Sequence, residues 1–370
     1  MSAVGGASLE SWEHAQPPAG AEPIRLADFE ALALAKLSAS TGGYYSGAAN
    51  DEVTLADNLA AFGRWRFVPR IGVDIEGRDA SVEVLGRRWP SPFMVAPMAL
   101  HRLADPDGEL AVARACGARG LVFSLSTVGS VSIEDVAATG ATCWFQLYLL
   151  KDPGRSRELL ARAEAAGNEA IIVTMDAPIL GRRERDIRTG FGLPEGVGYA
   201  NIRRGALKRD DTYGDDEFKP SNTWDDLAWV LKSTSLPVIV KGVLHPDDAT
   251  RAVDLGAAAV DVSNHGGRQL DRSIAAIDAL PAVVDAVAAR VPVLLDSGIR
   301  RGTDVLLALA LGARAVMLGR PVLWSLAWGG EAGVARAFDL LASEIELALG
   351  LAGLTRAADA NRDLVVAVGG

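Results

Sequence analysis

Eight short apolar runs, rich in β-branched residues, recur along the chain from Pro92 onward. They are residues 93–97, 121–126, 143–148, 170–175, 237–241, 259–264, 292–297 and 315–319. Ala- and Leu-rich segments that suit amphipathic helices fill most gaps, as at 108–118, 154–166, 246–255 and 303–311. Near-continuous apolar strands that alternate with helices are typical of buried parallel strands. Eight such units predict an α/β fold, a (β/α)8 barrel of the TIM type, rather than an open doubly wound sheet.

The rest of the chain divides around this barrel, which we assign to residues 92–355. Residues 1–22 are rich in Ala, Gly, Pro and Ser and are predicted to be a mobile leader. Residues 23–91 are predicted to cap the barrel with two helices and a short strand. The helices are expected over 26–37, stopped by Gly42 and Gly43, and from Asp51 towards Phe62, and the strand over 80–86. Residues 356–370 form a C-terminal tail.

One gap between strands is unusually long. Roughly 60 residues separate Met175 from Pro237, and charges of both signs alternate there with glycines. A stretch of this length after strand four predicts a functional lid or a disordered loop. Its low apolar content argues against a membrane-docking insert.

Composition excludes several functional classes. The net charge of -10, from 47 acidic and 37 basic residues, argues against a general nucleic-acid binder. The only cysteines, Cys116 and Cys143, cannot build a disulfide framework, and the four histidines lack metal-site spacing. No apolar run approaches the roughly 18 residues that a membrane helix needs. We therefore expect a soluble, acidic, cytoplasmic globular protein with no metal, membrane or nucleic-acid partner, which is compatible with an enzyme but does not name one.

Polar side chains follow the ends of the predicted strands, where barrels of this kind carry their active sites. Each alone could be a helix cap or a loop residue. A converging set with this many charges is hard to explain as packing, because burial of unpaired charges is costly. The set comprises Ser126, Gln146, Tyr148, Thr174, Asp176, Lys241, Ser263, Asn264, His265 and Asp296, followed by Arg268, Arg300 and Arg320.

The last two strands carry an anion-binding signal. The segments D-S-G-I-R-R-G at 296–302 and L-G-R-P at 318–321 place small residues and backbone N–H groups beside Arg300 and Arg320. Barrels often bind phosphate at the loops after strands seven and eight. We therefore expect the phosphate of a substrate or cofactor at this corner.

The most specific segment is S-N-H-G-G-R-Q-L-D at 263–271, after strand six. Its glycine-bent loop lets a histidine and an arginine three residues apart face one small anionic substrate. His265 then serves as the base near neutral pH, and Arg268 grips a carboxylate.

This block resembles the signature of the FMN-dependent α-hydroxy-acid oxidases and dehydrogenases, such as glycolate oxidase, lactate oxidase and mandelate dehydrogenase. The resemblance runs from about Leu26 to Leu354. It includes Y-Y-S-G-A-A-N-D-E-V-T-L-A-D-N, F-M-V-A-P-M-A, W-F-Q-L-Y, L-G-R-R-E-R-D-I-R, V-K-G-V, D-S-G-I-R-R-G-T-D-V and L-G-R-P. It implies an FMN-dependent (S)-2-hydroxy-acid oxidase or dehydrogenase that forms the 2-oxo acid. Oxygen or another electron acceptor would reoxidise the flavin, and the family implies a homotetramer.

The resemblance also implies roles for single residues. The backbone of Pro97, Met98 and Ala99 would lie against the flavin. Ser126, Gln146 and Thr174 would bind the edge of the flavin ring, and Lys241 would lie near N1 and O2. Ser263 would also bind the cofactor, and the ribityl chain and phosphate would be held by Asp296, Arg300, Gly319 and Arg320. Tyr44, Arg183 and Arg268 would bind the substrate carboxylate, and Tyr148 its hydroxyl. His265 would be the base, and Asp176 would stabilise its imidazolium form.

Three departures from the family pattern affect these expectations. Met98 stands where many family members carry a small or β-branched residue. The segment D-S-G at 296–298 has Ser297 where members usually have the first glycine of D-G-G. Val128 stands where glycolate-oxidising members carry tryptophan, which predicts a substrate larger than glycolate.

Three rival interpretations remain. A related FMN barrel could be a non-redox isomerase, although His265, Arg268, Arg183 and Tyr44 together favour hydroxy-acid chemistry. A barrel could also keep its flavin without catalysis. An NAD-dependent Rossmann enzyme lacks support, because no G-x-G-x-x-G follows an early strand.

Overall fold

Three short helices precede the barrel in the described part of the chain. The computed structural model describes residues 22–202 and 218–368, so most of the predicted leader lies outside the described residues. The helices are α1 (Asp28–Leu34), α2 (Ala39–Ser46) and α3 (Val53–Ala60). Helices α1 and α3 confirm the two predicted helices, with shorter bounds.

The prediction that Gly42 and Gly43 stop the first helix is wrong. Helix α1 ends at Leu34, and both glycines lie inside α2, which Ser38 caps by accepting a hydrogen bond from the Thr41 N–H at 3.1 Å. A Cβ atom on Gly42 would lie 2.8 Å from Leu34 Cδ2. Glycine at this position therefore permits the close approach of α1 and α2 and does not end a helix.

Two small antiparallel sheets flank the barrel. Strand β2 (Val82–Val84) confirms the strand predicted at 80–86 and pairs with β3 (Arg87–Trp89). Leu85 and Gly86 join them at φ angles of 53° and 73°, which is the positive-φ pair that a tight hairpin turn requires. The second sheet pairs β1 (Trp65–Phe67) with a strand from the end of the chain.

The eight predicted apolar runs form a closed parallel barrel, which confirms the predicted fold class. Its strands are β4 (Phe93–Met98), β5 (Phe123–Ser126), β6 (Cys143–Leu147), β7 (Ile171–Thr174), β8 (Val238–Val243), β9 (Ala259–Val262), β10 (Val293–Leu295) and β11 (Ala315–Leu318). Strand β11 closes the sheet on β4, with Val316 in register with Phe93. Closure leaves no unpaired strand edge, and it buries nearly every strand side chain.

Helices cover the outside of the barrel. They are α4 (Glu109–Gly117), α5 (Ile133–Ala137), α6 (Pro153–Ala165), α7 (Glu184–Arg188), α8 (Trp224–Ser233), α9 (Pro246–Leu255), α10 (Ala276–Val287), α11 (Gly302–Ala310) and α12 (Arg320–Ala352). The four helices predicted between strands, now α4, α6, α9 and α11, are confirmed to within one residue at each end. None of the helices in the described part of the chain is long and apolar enough to cross a membrane.

The long gap after β7 contains two helices, α7 and α8, that the sequence did not reveal. Helix α8 begins with a capping box in which Thr223 and Asp226 exchange hydrogen bonds with each other's backbone N–H groups. Most of the charged stretch predicted to be a lid or a disordered loop falls on residues 203–217, outside the described residues.

The C-terminal segment returns to the N-terminal part of the chain. Strand β12 (Val365–Ala367) pairs with β1, with Arg66 in register with Val366. Asp79 and Arg356 form a further bridge between the two segments. These contacts tie the residues before the barrel to those after it.

We expect Gly302→Ala to destabilise the fold. A Cβ atom here would lie 2.3 Å from the Glu344 carbonyl carbon and 2.5 Å from Ile345 N, both in α12. Helix backbone cannot yield as a flexible side chain does, so the free energy of unfolding should fall by about 1–3 kcal/mol. Gly63→Ala is the matched control, because nothing lies within 4 Å of its added Cβ. Equal urea midpoints for the two variants would contradict this packing argument.

Candidate active site

A cavity of about 460 Å³ opens at the carboxyl ends of the barrel strands. Most of the predicted site residues line it. They are Tyr44, Pro97, Met98, Ala99, Ser126, Val128, Tyr148, Arg183, Lys241, His265, Arg268, Asp296, Arg300, Gly319 and Arg320. Of the other predicted site residues, Gln146, Asp176 and Ser263 each contact a residue of the cavity wall, and Thr174 accepts a hydrogen bond from Gln146. The structure therefore brings all of them together in one region.

His265 lies between an acid and a phenol. Its Nδ1 atom is 2.9 Å from Asp176 Oδ1, and its Nε2 atom is 3.3 Å from the Tyr148 hydroxyl. An ionised carboxylate only accepts hydrogen bonds, so Nδ1 carries the hydrogen and donates it to Asp176. Nε2 is then the nitrogen that can take up a proton from a molecule in the cavity. The charge of Asp176 stabilises the protonated ring that results.

The loop that carries His265 has an unusual backbone. His265, Gly266 and Gly267 have φ angles of 59°, 64° and 77°, in the left-handed region. A Cβ atom on Gly266 would lie 2.7 Å from Arg320 Nη1, and one on Gly267 would lie 2.8 Å from Leu55 N. Both glycines are therefore needed to fold the loop tightly, and the fold of the loop turns His265 towards the cavity.

Two guanidinium groups converge on Tyr44. The central carbons of Arg183 and Arg268 lie 5.8 and 5.0 Å from the centre of the Tyr44 ring. Arg268 Nη1 also donates to the backbone oxygens of Tyr44 and Gly47, at 2.8 and 2.7 Å. Two cations and a phenol on one side of the cavity are suited to binding a carboxylate.

A second group of cations lies after β10 and β11, next to Arg268, which shares the Gly47 backbone oxygen with Arg320. Arg320 donates to the backbone oxygens of Tyr45, Gly47 and Gly266, at 2.9 to 3.1 Å. Arg300 lies 4.9 Å from the ring of Trp324. Among the described residues, no carboxylate forms an ion pair with either guanidinium.

The electrostatic state of this corner fits an anion site. Burial, together with the nearby charges of Arg268 and Arg300, lowers the pKa of Arg320 to about 9. Burial also lowers the pKa of Arg300. Buried cations that repel one another gain from an anion placed between them. This is the phosphate corner predicted from the sequence.

A chain of uncharged polar side chains crosses the floor of the cavity. Ser126 Oγ donates to Gln146 Oε1 at 2.9 Å, and Gln146 Nε2 donates to Thr174 Oγ1 at 3.0 Å. All three side chains are buried. The Thr127 N–H also donates to Gln146 Oε1 at 3.2 Å, and because a backbone N–H can only donate, this contact fixes which way round the Gln146 amide lies.

Lys241 lies at the centre of a buried ionic cluster. Its Nζ donates to Ser263 Oγ at 2.7 Å, to Asp261 Oδ2 at 3.1 Å and to Asp296. Burial alone would lower the pKa of Lys241, but the two carboxylates outweigh burial and hold the pKa above its ordinary value. Lys241 therefore stays protonated, and it shares its charge with two acids.

A hydrogen-bonded link between two loops at the rim was not predicted from the sequence. The buried Glu109 carboxylate accepts hydrogen bonds from His101 N at 3.2 Å, Ser130 N at 2.7 Å and Ser130 Oγ at 2.6 Å. It thereby joins the loop after β4, which follows Met98, to the loop after β5, which carries Val128. Glu109 opens a helix, where an acid is ordinary, so no local pattern marked it.

Two further acids were missed. Asp186 lies 3.7 Å from Arg183 and partly offsets the charge of the arginine pair. Asp261 lies inside the barrel against Lys241. Three apolar or aromatic residues of the cavity wall, Ile179, Tyr199 and Phe218, were also missed, because they come from the long segment after β7 whose course the sequence did not predict.

Comparisons with known proteins agree with this geometry. The profile of the FMN-dependent dehydrogenase family matches residues 33–367. An L-lactate oxidase of a Nostoc species is 46% identical over 355 residues, which cover 91% of this chain and 96% of the relative. A 4-hydroxymandelate oxidase of Amycolatopsis orientalis is 45% identical, over 92% of this chain and 97% of the relative. A crystal structure of a mandelate oxidase superposes with a TM-score of 0.89 at 44% identity, covering 94% of this chain and 99% of that one.

Proposed function

The chain belongs to the FMN-dependent dehydrogenase family, and from this we propose how its own residues carry out the reaction. The enzyme uses FMN to oxidise 2-hydroxy acids to 2-oxo acids, as its relatives support. The observation that carries the proposal is the position of His265 Nε2, 3.3 Å from the Tyr148 hydroxyl and on the wall of a cavity that Arg183, Arg268, Arg300 and Arg320 also line. The isomerase interpretation is set aside, because the matched relatives are oxidases.

The donors around the cavity suit FMN. The unneutralised Arg300 and Arg320 match its phosphate, and the glycine-rich loop beside them leaves room for backbone contacts. We infer that Asp296, Ser263 and Gly319 complete the contacts with the ribityl chain and phosphate.

The same inference assigns the floor of the cavity to the flavin ring. Ser126, Gln146 and Thr174 supply the donors and acceptors that the ring edge needs, and Lys241 supplies a positive charge. The backbone of Pro97, Met98 and Ala99 would lie against the ring face.

When bound, FMN supplies the acceptor for the electron pair that leaves the substrate's α-carbon. Arg183, Arg268 and Tyr44 hold the substrate carboxylate, which fixes the α-carbon relative to the rest of the cavity. Tyr148 orients the substrate hydroxyl. His265 Nε2 takes the proton that the substrate loses, and Asp176 stabilises the imidazolium ring.

The wall of the cavity supports a substrate with an apolar side chain. Met98, Val128, Ile179, Tyr199 and Phe218 line it together with His265. The Phe218 ring meets the edge of the Tyr148 ring at a centroid distance of 5.5 Å. We propose that these residues accept 2-hydroxy acids of the (S) configuration whose side chain is larger than that of glycolate. A related mandelate oxidase structure contains (S)-mandelic acid.

Three expectations from the sequence stay predictions. Oxygen or another molecule reoxidises the reduced cofactor, the chain assembles as a homotetramer, and it acts in the cytoplasm. Gel filtration with light scattering tests the assembly, and steady-state assays with oxygen and with an artificial dye compare the acceptors.

We expect His265→Ala to retain FMN but to reduce it about 10² to 10⁴ times more slowly, which is the usual contribution of a positioned general base. Anaerobic mixing with a 2-hydroxy acid measures this rate from the loss of the visible flavin band. His245→Ala is the matched control, because His245 is an exposed helix cap. A near-normal reduction rate in His265→Ala would overturn the assignment of the base.

We expect Arg320→Ala to weaken FMN binding about tenfold to a hundredfold, because a charge-assisted hydrogen bond contributes about 1.5–3 kcal/mol. Flavin content after gel filtration and the KM of the reconstituted enzyme are measured together. Arg290→Ala, which removes an exposed arginine paired with Asp254, is the control. Full flavin occupancy with a raised KM would indicate that Arg320 binds the substrate and not the cofactor.

We expect Val128→Trp to lower kcat/KM for mandelate and 2-hydroxyoctanoate while it spares glycolate. Each buried methylene contributes about 0.8 kcal/mol, so several carbons shift preference by about one to two orders of magnitude. The values of kcat/KM for glycolate, lactate, mandelate and 2-hydroxyoctanoate are compared in both proteins. If glycolate is the best substrate of the unmodified enzyme, the large-pocket proposal is wrong.

A further inference from the structure

Asp261 lies beneath the cavity and does not form its wall. It is fully buried on β9, in register with Lys241 on the neighbouring strand β8. Its Oδ2 atom accepts a hydrogen bond from Lys241 Nζ at 3.1 Å. Its Oδ1 atom is buried with no hydrogen-bond partner among the described residues. A carboxylate inside a barrel of apolar strands is costly to ionise, and Lys241 is its one close cation in the described structure.

Two carboxylates compete for this lysine. Asp296 also accepts a hydrogen bond from Ser297 Oγ at 2.7 Å, so its ionised form is better stabilised than that of Asp261. Burial raises the pKa of Asp296, but Lys241 and the hydroxyl groups outweigh burial and hold it below its ordinary value. Burial raises the pKa of Asp261 to about 7 despite Lys241, and the negative charges of Asp296 and Asp176 act in the same direction. Asp261 is therefore the member of the cluster that takes up a proton first.

The net charge of the cluster depends on this proton. With Lys241 protonated and both acids ionised, the three side chains carry one net negative charge. With Asp261 protonated, the cluster is neutral. Only Lys241 and Asp296 of the three reach the cavity wall, so Asp261 acts on a bound cofactor through Lys241.

We propose that Asp261 is a positioning residue that sets how much of the positive charge of Lys241 reaches the flavin, and so makes the flavin reduction potential depend on pH. The inference rests on the proposed placement of FMN above Lys241. Charge near the flavin ring tunes its electronics, and reduction adds negative charge. A protonated Asp261 leaves more of the lysine charge to stabilise the reduced state. An ionised Asp261 cancels it and favours the oxidised state.

The sign of the pH dependence follows. Below neutral pH Asp261 is protonated and the potential is at its higher value. As pH rises and Asp261 loses its proton, the potential falls more steeply than it would with Lys241 and Asp296 alone. The charged groups that face Asp261 are Lys241 from β8, Asp296 after β10 and Asp176 after β7, which is paired with His265.

Asp261→Asn is the most direct test, because the amide oxygen can still accept from Lys241 while the charge is lost. Above about pH 8, we expect the variant to favour reduced over oxidised FMN by at least about tenfold relative to the unmodified enzyme, or about 30 mV for a two-electron couple. Below about pH 6 the two proteins converge, because Asp261 is then uncharged in both. The potential is measured on the holoenzyme by reductive titration against a reference dye. Asp254→Asn removes the same charge from an exposed ion pair and leaves the potential unchanged.

Each other outcome is informative. Equal potentials and equal slopes in Asp261→Asn and the unmodified enzyme would overturn the proposal, even if the variant melts at a lower temperature. If the variant does not fold, the unmodified holoenzyme decides: a potential that falls with a constant slope from pH 6 to pH 8 would overturn it. An enzyme that binds FMN and is bleached by a 2-hydroxy acid but shows no such effect keeps the proposed function and loses only the role of Asp261.

Discussion

Closure of the eight-stranded barrel is the constraint on which the site depends. Because β11 pairs with β4 and all eight strands run parallel, every strand ends at the same rim. Residues far apart in sequence, such as Tyr148 and His265, thereby come within 3.3 Å of each other. Barrel strands are rigid, so the polar groups at their ends keep their geometry with little entropy left to lose on binding.

The charged residues at the rim fall into three groups with different surroundings. Asp176 and His265 lie together, where the proposed reaction needs a proton to be held and released. Arg300 and Arg320, which form no ion pair with an acid of the described residues, lie where an anion is expected. Lys241 is different, because it is already paired inside the protein with Asp296 and Asp261. Under the proposed placement of FMN, the positive charge that Lys241 presents to the flavin is therefore adjustable.

The sequence predicts a residue's role well where that role depends only on its near neighbours in the chain. The strands were predictable because a buried parallel strand is a short apolar run in any context, and His265 and Arg268 because one glycine-bent loop carries both. The role of Gly42 was misjudged, because its contact with Leu34 comes from the packing of two helices. Asp261 is a single polar residue within an apolar run, and no local pattern predicts a role for it. Its importance lies in its register with Lys241 on another strand, which no single segment displays.

We propose that this rim binds FMN and that the residues assigned above oxidise 2-hydroxy acids with it. The most direct measurement is anaerobic mixing of the purified holoenzyme with one equivalent of an (S)-2-hydroxy acid, with the flavin spectrum and the product followed together. We expect the visible flavin band to bleach as one 2-oxo acid forms for each flavin reduced. A protein that binds FMN but stays yellow with glycolate, lactate, mandelate and 2-hydroxyoctanoate alike would contradict it.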